Sequence, residues 1–434
     1  MTEKELELYI DELGTKGTVL GLDTMKDLME RTGNPQNACR YVHIAGTNGK
    51  GSVLQYVSTI LRTAGYKVGC FFSPALRDPW EKIQVNGKKI SRTAVRRYME
   101  KIRDVSKEME AENRNTPTLF EAECAVAFMY FADRACDFVV LEVGMGGKTD
   151  ATNVIPAPDV AALTRISMDH AGILGNTMEE IADVKSGIIK NGCRVVSTIQ
   201  EEDVRAVIRR AAGKKGAKSL VFAEVPEKIR YGKTFTAFTY KGAKYKVSLH
   251  GVCQPENAAL ALEAVFALKQ NGVKIEEECI LRGLAQTRWE GRFQFIGNKP
   301  RYVFDGAHNE EAAKRLRESL EMYFADRPLI FVMGVLKDKE YDKIVGILSP
   351  LMAHLITLTP PHNPRALTSW ELAVCAREYL TQVTRADSLE EALEIAELLA
   401  GDKCTVVVCG SLSFLGEAID IVKRGKGKGK QSKR

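Results

Sequence analysis

The stretch Tyr41-Val42-His43-Ile44-Ala45-Gly46-Thr47-Asn48-Gly49-Lys50-Gly51-Ser52 decides how this chain is read. A short apolar run is followed by a glycine-rich turn carrying Lys-Gly-Ser, and then by a helical pattern through Val53–Ala64. This layout holds phosphates. Glycines let successive backbone N–H groups turn toward an anion, and the N-terminus of the following helix adds partial positive charge. Lys50 is placed to reach the terminal phosphates of a nucleotide, and Ser52 to offer its hydroxyl to Mg²⁺. Gly51 separates the lysine from the serine, and Ile44 stands where the ordinary Walker spacing has glycine.

The chain has 434 residues, enough for two or three domains each with its own core. No apolar run reaches the length of a membrane span. The segment Met1-Thr2-Glu3-Lys4-Glu5 opens an acidic amphipathic stretch without the apolar core of a secretion signal, so a cytoplasmic location is expected. Ten cysteines are scattered without a C-x-x-C pair and read as reduced core residues rather than disulfide or zinc ligands. The net charge of +6 is a tail property: Lys423–Arg434 carries seven positive charges and no acid, and without it the body stands at −1. No nucleic-acid partner is required by such a balance. Residues 424–434 read as a disordered, solubilising basic tail.

Short apolar strands alternating with helical patterns predict α/β architecture with a mostly parallel sheet covered on both faces. Strands are expected at Lys67–Phe72, Asp137–Val143, Val160–Ile166 and Arg194–Ile199, with a hairpin at Asn86-Gly87. Helices are expected at Glu3–Leu13, Thr24–Arg31, Thr93–Glu112, Leu119–Ala135, Met178–Lys190 and Asn257–Gln270. Polar–aromatic alternation between Ser219 and Leu249 predicts a small antiparallel sheet appended to this P-loop-type domain. Gly297-Asn298-Lys299-Pro300 reads as a linker, giving a first domain of residues 1–296. A smaller, Rossmann-like open α/β domain is expected over 301–423, with strands near Tyr302–Phe304, Leu329–Met333, Leu355–Leu358 and Thr405–Cys409. Its expected helices are Glu310–Tyr323, Tyr341–Leu348, Ser369–Leu380, Leu389–Leu399 and Phe414–Val422.

Open α/β sheets bind ligands at the carboxyl ends of their strands, which singles out several side chains. Glu142 ends a strongly apolar strand beside Gly144, Gly146 and Gly147. It reads either as a Mg²⁺ ligand across from Ser52 or as a carboxylate capping a turn, and the phosphate loop favours the metal. Asp169-His170 follows another strand, and His170 is a candidate ligand for a second metal. Lys185 lies in a helix with one apolar face, where spacing alone describes a snorkelling lysine. Asp305-Gly306-Ala307-His308-Asn309 ends the first strand of the second domain. Asp305 and His308 would help bind nucleotide if that edge faces the phosphate loop. Arg292 sits at the domain boundary, either as a phosphate clasp or as an ordinary exposed arginine.

Taken together and in order, these segments resemble the folylpolyglutamate synthase and dihydrofolate synthase family, a branch of the Mur-ligase-type ATP-dependent ligases. The resemblance runs through Thr47–Ser52, Phe72-Ser73-Pro74, Glu81–Gly87, Thr118–Glu121, Leu141–Asn153, Asp169-His170, Lys185–Ile188, Trp289–Arg292, Asp305–Asn309 and Gly410–Phe414. It implies a two-domain enzyme holding MgATP between its domains. A folate or dihydropteroate carboxylate would be phosphorylated and then attacked by the amine of L-glutamate. By the same resemblance Thr47, Asn48, Gly49, Lys50, Gly51, Ser52, Asn257, Arg292, Asp305 and His308 would contact ATP. Ser52, Glu142, His170 and Lys185 would serve two magnesium sites, Lys185 as a carbamate. Lys50, His170 and Lys185 would be the catalytic residues, and Ser73 and Lys82 would lie on the folate side. A monomer acting on small molecules is implied, with no membrane partner. The chain departs from the family pattern at Ala75, Lys82, Cys253 and Glu290, where the family has histidine, arginine, histidine and proline. The other readings that remain are a Mur-type ligase acting on a cell-wall precursor and a noncatalytic ATP-binding regulatory protein.

Overall fold

The computed structural model describes residues 1–168 and 173–431, with side chains described through residue 425. Among the described residues the first domain is built on an eight-stranded sheet. Its order is Lys88–Lys89, Ile83–Val85, Val68–Phe71, Phe138–Glu142, Arg40–Ala45, Val160–Leu163, Arg194–Ser197 and Ser219–Phe222. The two short edge strands pair antiparallel and the remaining strands parallel. The hairpin at Asn86-Gly87 forms, with both residues at positive φ (51° and 74°), the conformation of a tight two-residue turn.

The central strands are apolar on both faces because helices cover both sides. The phosphate-loop helix, Lys50–Thr63, is buried over almost its whole length beneath the helices Gln254–Gln270 and Glu277–Gln286. On the opposite face, helix Leu119–Asp133 packs with Arg92–Ala111 and the N-terminal helices. Thr118 starts Leu119–Asp133 with a reciprocal capping box: the Thr118 N–H donates to Glu121 at 2.8 Å while Thr118 Oγ1 accepts the Glu121 N–H. A three-stranded antiparallel sheet, Glu227–Arg230, Thr236–Tyr240 and Ala243–Val247, packs its aromatic face on the same core as the loop helix.

The second domain carries a six-stranded sheet in the order Gln294–Ile296, Arg301–Phe304, Thr405–Cys409, Leu329–Met333, Met352–Thr357 and Val383–Arg385. The first pair is antiparallel and the rest parallel. This corrects the boundary expected at 296. Gln294–Ile296 pairs residue for residue with Tyr302–Phe304, so Gly297–Pro300 is a hairpin turn inside the second domain. Glycine and proline mark tight turns and linkers alike, and only the pairing tells them apart. The last helix runs Leu412–Gln431, anchored by buried Phe414, Leu415, Ala418 and Ile419 and extending past Val422, where the sequence pattern ended it. Helices Glu202–Lys215 and Glu277–Gln286 and the short strand Val383–Arg385 were not among the expected elements.

Candidate functional site

Strand Arg40–Ala45 lies between Phe138–Glu142 and Val160–Leu163, in register Ile44 to Glu142 and Ala45 to Leu163. Three strand ends therefore meet at one edge, which brings the phosphate loop, Glu142 and the segment after Leu163 together. Close approach dictates the loop's first glycine. Gly46 has φ +144°, and a β-carbon there would stand 1.9 Å from Thr164 Oγ1. Gly49 caps the loop helix at φ +91°, and a β-carbon there would meet Asn257 Oδ1 at 2.5 Å. Thr47 is pinned by its N–H to the Arg165 carbonyl at 2.9 Å and by its hydroxyl to the Ser167 carbonyl at 3.0 Å.

Lys50 curls over the loop, donating to the carbonyls of Gly46 (3.2 Å) and Thr47 (3.1 Å), with its ammonium 3.9 Å from Glu142 Oε1. Burial pushes the Glu142 carboxyl up to about 7, against the opposing pull of Lys50, Arg292 and a hydrogen bond from the Ser73 N–H. Ser52 is buried, its hydroxyl accepting a long 3.4 Å hydrogen bond from Gln254 Nε2. A desolvated carboxylate beside a serine hydroxyl, both on one cleft, is a hard-oxygen donor set that suits Mg²⁺ completed by phosphate oxygens. Among the described residues no cluster of three or more His, Cys, Asp or Glu side chains forms a closed protein-only site.

The second domain supplies the opposite wall. Asp305 is half-buried and desolvation raises its carboxyl, offset by Arg292 and by the N–H groups of Phe293 (2.9 Å) and Ala307 (2.8 Å). His308 Nδ1 sits 2.7 Å from the Gly306 carbonyl. Asn309 caps helix Glu310–Phe324 by accepting the Ala312 N–H at 2.9 Å, and also reaches the phosphate loop. Its amide exchanges hydrogen bonds with that of Asn48, at 3.2 and 3.3 Å. Arg165 adds an ion pair to Glu311 at 3.3 Å across the same gap. The cleft so enclosed, about 260 Å³, is lined by Thr47–Ser52, Ser73, Glu142, Asn257, Arg292, Asp305 and His308, among others. Arg165, Gln254, Glu311 and Arg315 also line it and were missed in the sequence. For Arg165 the signal was available, since it follows a parallel strand at the sheet's carboxyl edge.

A second cavity of about 430 Å³ adjoins the cleft and shares Pro74, Arg292 and Leu412 with it. Phe72 and Trp289 form an apolar wall, ring centroids 4.8 Å apart and edge to face, while Arg62, Arg77 and Arg288 stand around it. Two expected residues fall outside both spaces. Lys82 is withdrawn into an ion pair with buried Glu123 at 2.5 Å, because that carboxylate needs a counter-charge. Lys185 is buried, with Nζ 3.1 Å from the Gly46 carbonyl, directly behind the phosphate loop. Asp169 and His170 lie outside the described residues.

Among the described residues, no helix is long and apolar enough to cross a membrane. The Mur ligase middle domain matches residues 44–265, and the Mur ligase glutamate ligase domain matches residues 291–412. The chain is 35% identical to the dihydrofolate synthase/folylpolyglutamate synthase of Bacillus subtilis, over 94% of this chain and 96% of the relative. It is 31% identical to the enzyme of the same description from Escherichia coli, over 97% and 96%. Two solved structures are similar over nearly their whole length. Folylpolyglutamate synthase of Mycobacterium tuberculosis complexed with ADP and AMPPCP superposes with TM-score 0.87 at 30% identity, covering 97% of this chain and 99% of the other. Escherichia coli FolC in complex with DHPP and ADP superposes with TM-score 0.84 at 29% identity, covering 98% of each. With both ligase domains matched and the phosphate loop facing the second domain across one cleft, the chain belongs to the folylpolyglutamate/dihydrofolate synthase family of Mur-ligase-type enzymes.

Proposed function

We propose that this protein is an ATP-dependent ligase that joins L-glutamate to the carboxylate of a folate-type acceptor, dihydropteroate or a tetrahydrofolate. The observation that carries this reading is one cleft, walled by both domains, that shares Pro74, Arg292 and Leu412 with an arginine-bearing aromatic cavity. Phosphate binding belongs to the cleft and a planar, anionic acceptor to the cavity.

A carboxylate is a poor electrophile, so activation comes first. An acceptor carboxylate oxygen attacks the γ-phosphorus of ATP, the bond to the β–γ bridging oxygen breaks, and ADP departs. The glutamate amine then attacks the acyl carbon of the acyl phosphate. The C–O bond breaks, its electron pair leaves with phosphate, and the amine loses a proton. Lys50, the loop N–H groups and Arg292 supply fixed positive charge where negative charge is spread over the transferring phosphoryl group. Asn48 and Asn309 hold the two walls together, which limits competing attack by water. Ser52 and Glu142 would hold Mg²⁺, whose bound charge neutralises phosphate oxygens. Lys185, carried behind the loop as a carbamate, would turn a cation into an oxygen-donating anion for a second Mg²⁺, together with His170.

The test is phosphate release with MgATP and L-glutamate, dihydropteroate and tetrahydrofolate being supplied in separate reactions and product masses read. A glutamate-sized gain on dihydropteroate establishes synthase activity and one on tetrahydrofolate establishes tail extension. No gain on either refutes the proposal.

A further inference from the structure

Loop Ser73–Asp78 forms one wall of the aromatic cavity through Pro74, Ala75, Leu76 and Arg77. Its own domain holds it by the backbone: Glu81 Oε1 accepts the N–H groups of Leu76 and Arg77, the latter at 2.9 Å. The Arg77 side chain leaves that domain altogether. Its Nε and Nη2 form a fork on the two oxygens of Asp420, at 2.8 and 3.0 Å, on the last helix. Its Nη1 donates to Glu290 Oε2 at 2.6 Å, and the other Glu290 oxygen accepts from Lys423 at 2.6 Å. Glu290 thus joins the loop to the last helix from both of its oxygens. The backbones are equally close, since a β-carbon at Gly416 would stand 2.2 Å from the Leu76 carbonyl oxygen.

We propose that Arg77 and Glu290 are positioning residues that fix the Ser73–Asp78 wall of the acceptor cavity against the second domain. The proposal rests on reading that cavity as the acceptor site. Glu290 stands two residues before Arg292, which lines both the cavity and the cleft, so the same network sets where the Arg292 segment begins. It also accounts for the glutamate that stands at 290 where the family pattern has proline. Each pair here is partly exposed and by itself contributes little to global stability. The fork on Asp420 and the shared Glu290 make one network, whose effect falls on loop placement rather than on the fold.

The experiment uses the full chain as wild type, Glu290→Gln, Arg77→Gln and Arg77→Lys. It measures hydrogen–deuterium exchange of peptides covering 74–78 and separate KM values for acceptor and ATP. Both glutamine variants are expected to exchange faster over 74–78 and to raise acceptor KM about three- to tenfold, the size of losing one or two partly exposed pairs. ATP KM should stay within about twofold, and Arg77→Lys, which keeps the charge but loses the fork, should fall between. Unchanged exchange in both glutamine variants, or an equal rise in both KM values, overturns the proposal. If the wild type glutamylates neither acceptor, the functional reading fails, and the exchange measurement alone decides the role of the network.

Discussion

Asn48 and Asn309 exchange two amide hydrogen bonds, at 3.2 and 3.3 Å, so the phosphate loop of one domain is bonded to the helix cap of the other. Asn309 Oδ1 serves twice, accepting from Asn48 and from the Ala312 N–H. The two duties can be separated. Asn309→Ala should lose both, lowering stability by about 1 kcal/mol through the lost cap and raising ATP KM. Asn309→Ser keeps a capping oxygen but is too short to bridge. Thermal unfolding should place Asn309→Ser near the wild type, with ATP KM still raised. A serine variant with normal ATP KM would show that the amide pair does no work in nucleotide binding.

Lys50→Met removes the ammonium that lies over the Gly46 and Thr47 carbonyls. Loss of one fixed charge aimed at a transferring phosphoryl group predicts a fall in kcat of about 10²- to 10³-fold. Circular dichroism should show the fold retained, because Lys50 is half-buried at the cleft and its hydrogen bonds go to the loop itself. Turnover like that of the wild type would remove Lys50 from the mechanism.

Lys185→Ala should be severely impaired, and a short carboxylic acid added to the assay should restore part of the activity by standing in for a carbamate. With ¹³C-bicarbonate, the wild type should show a carbamate carbon signal that the variant lacks. Full activity in Lys185→Ala would rule out the carbamate.

Lys82→Met leaves Glu123 buried and without its cation, a change that costs about 3–5 kcal/mol in comparable settings. Adding Glu123→Gln should recover most of that loss. Denaturant unfolding of the single and double variants checks this. An unaltered Lys82→Met protein would mean that the carboxyl is already neutral.

His43 gives a pH prediction. It is fully buried in the central strand, its Nε2 2.9 Å from Thr152 Oγ1, and burial pushes its imidazole down to about 3. Between that value and about 6.5 the unfolded chain binds a proton that the folded chain refuses. Its contribution is therefore complete above pH 6.5 and is lost as pH falls toward 3, up to about 5 kcal/mol. Urea unfolding from pH 7 to pH 4 should fall more steeply in the wild type than in His43→Gln. Parallel curves would contradict this assignment.

The turn from strand Arg40–Ala45 into helix Lys50–Thr63 was legible because its signal is local: glycines, a lysine and a helix start within a dozen residues. The parallel sheet was legible because buried central strands are apolar on both faces. The pairings of Asn309 with Asn48 and of Glu311 with Arg165 were not, since they exist only after two domains dock, and separation along the chain does not encode distance in space. Lys185 shows the same limit. Spacing describes a snorkelling side chain, whereas packing turns it inward onto Gly46. Lys82 shows the converse, a family position whose charge here answers buried Glu123.

Because Gln294–Ile296 pairs with Tyr302–Phe304, the chain enters its second sheet before the turn that resembles a linker. A fragment ended at residue 296 would carry off a strand with Phe295 on it and strip the second sheet of its outer edge. The natural place to divide this protein is therefore upstream, between helix Glu277–Gln286 and Gln294. Even there a cut would pass through Glu290 and Arg292, so neither half would keep a whole binding surface.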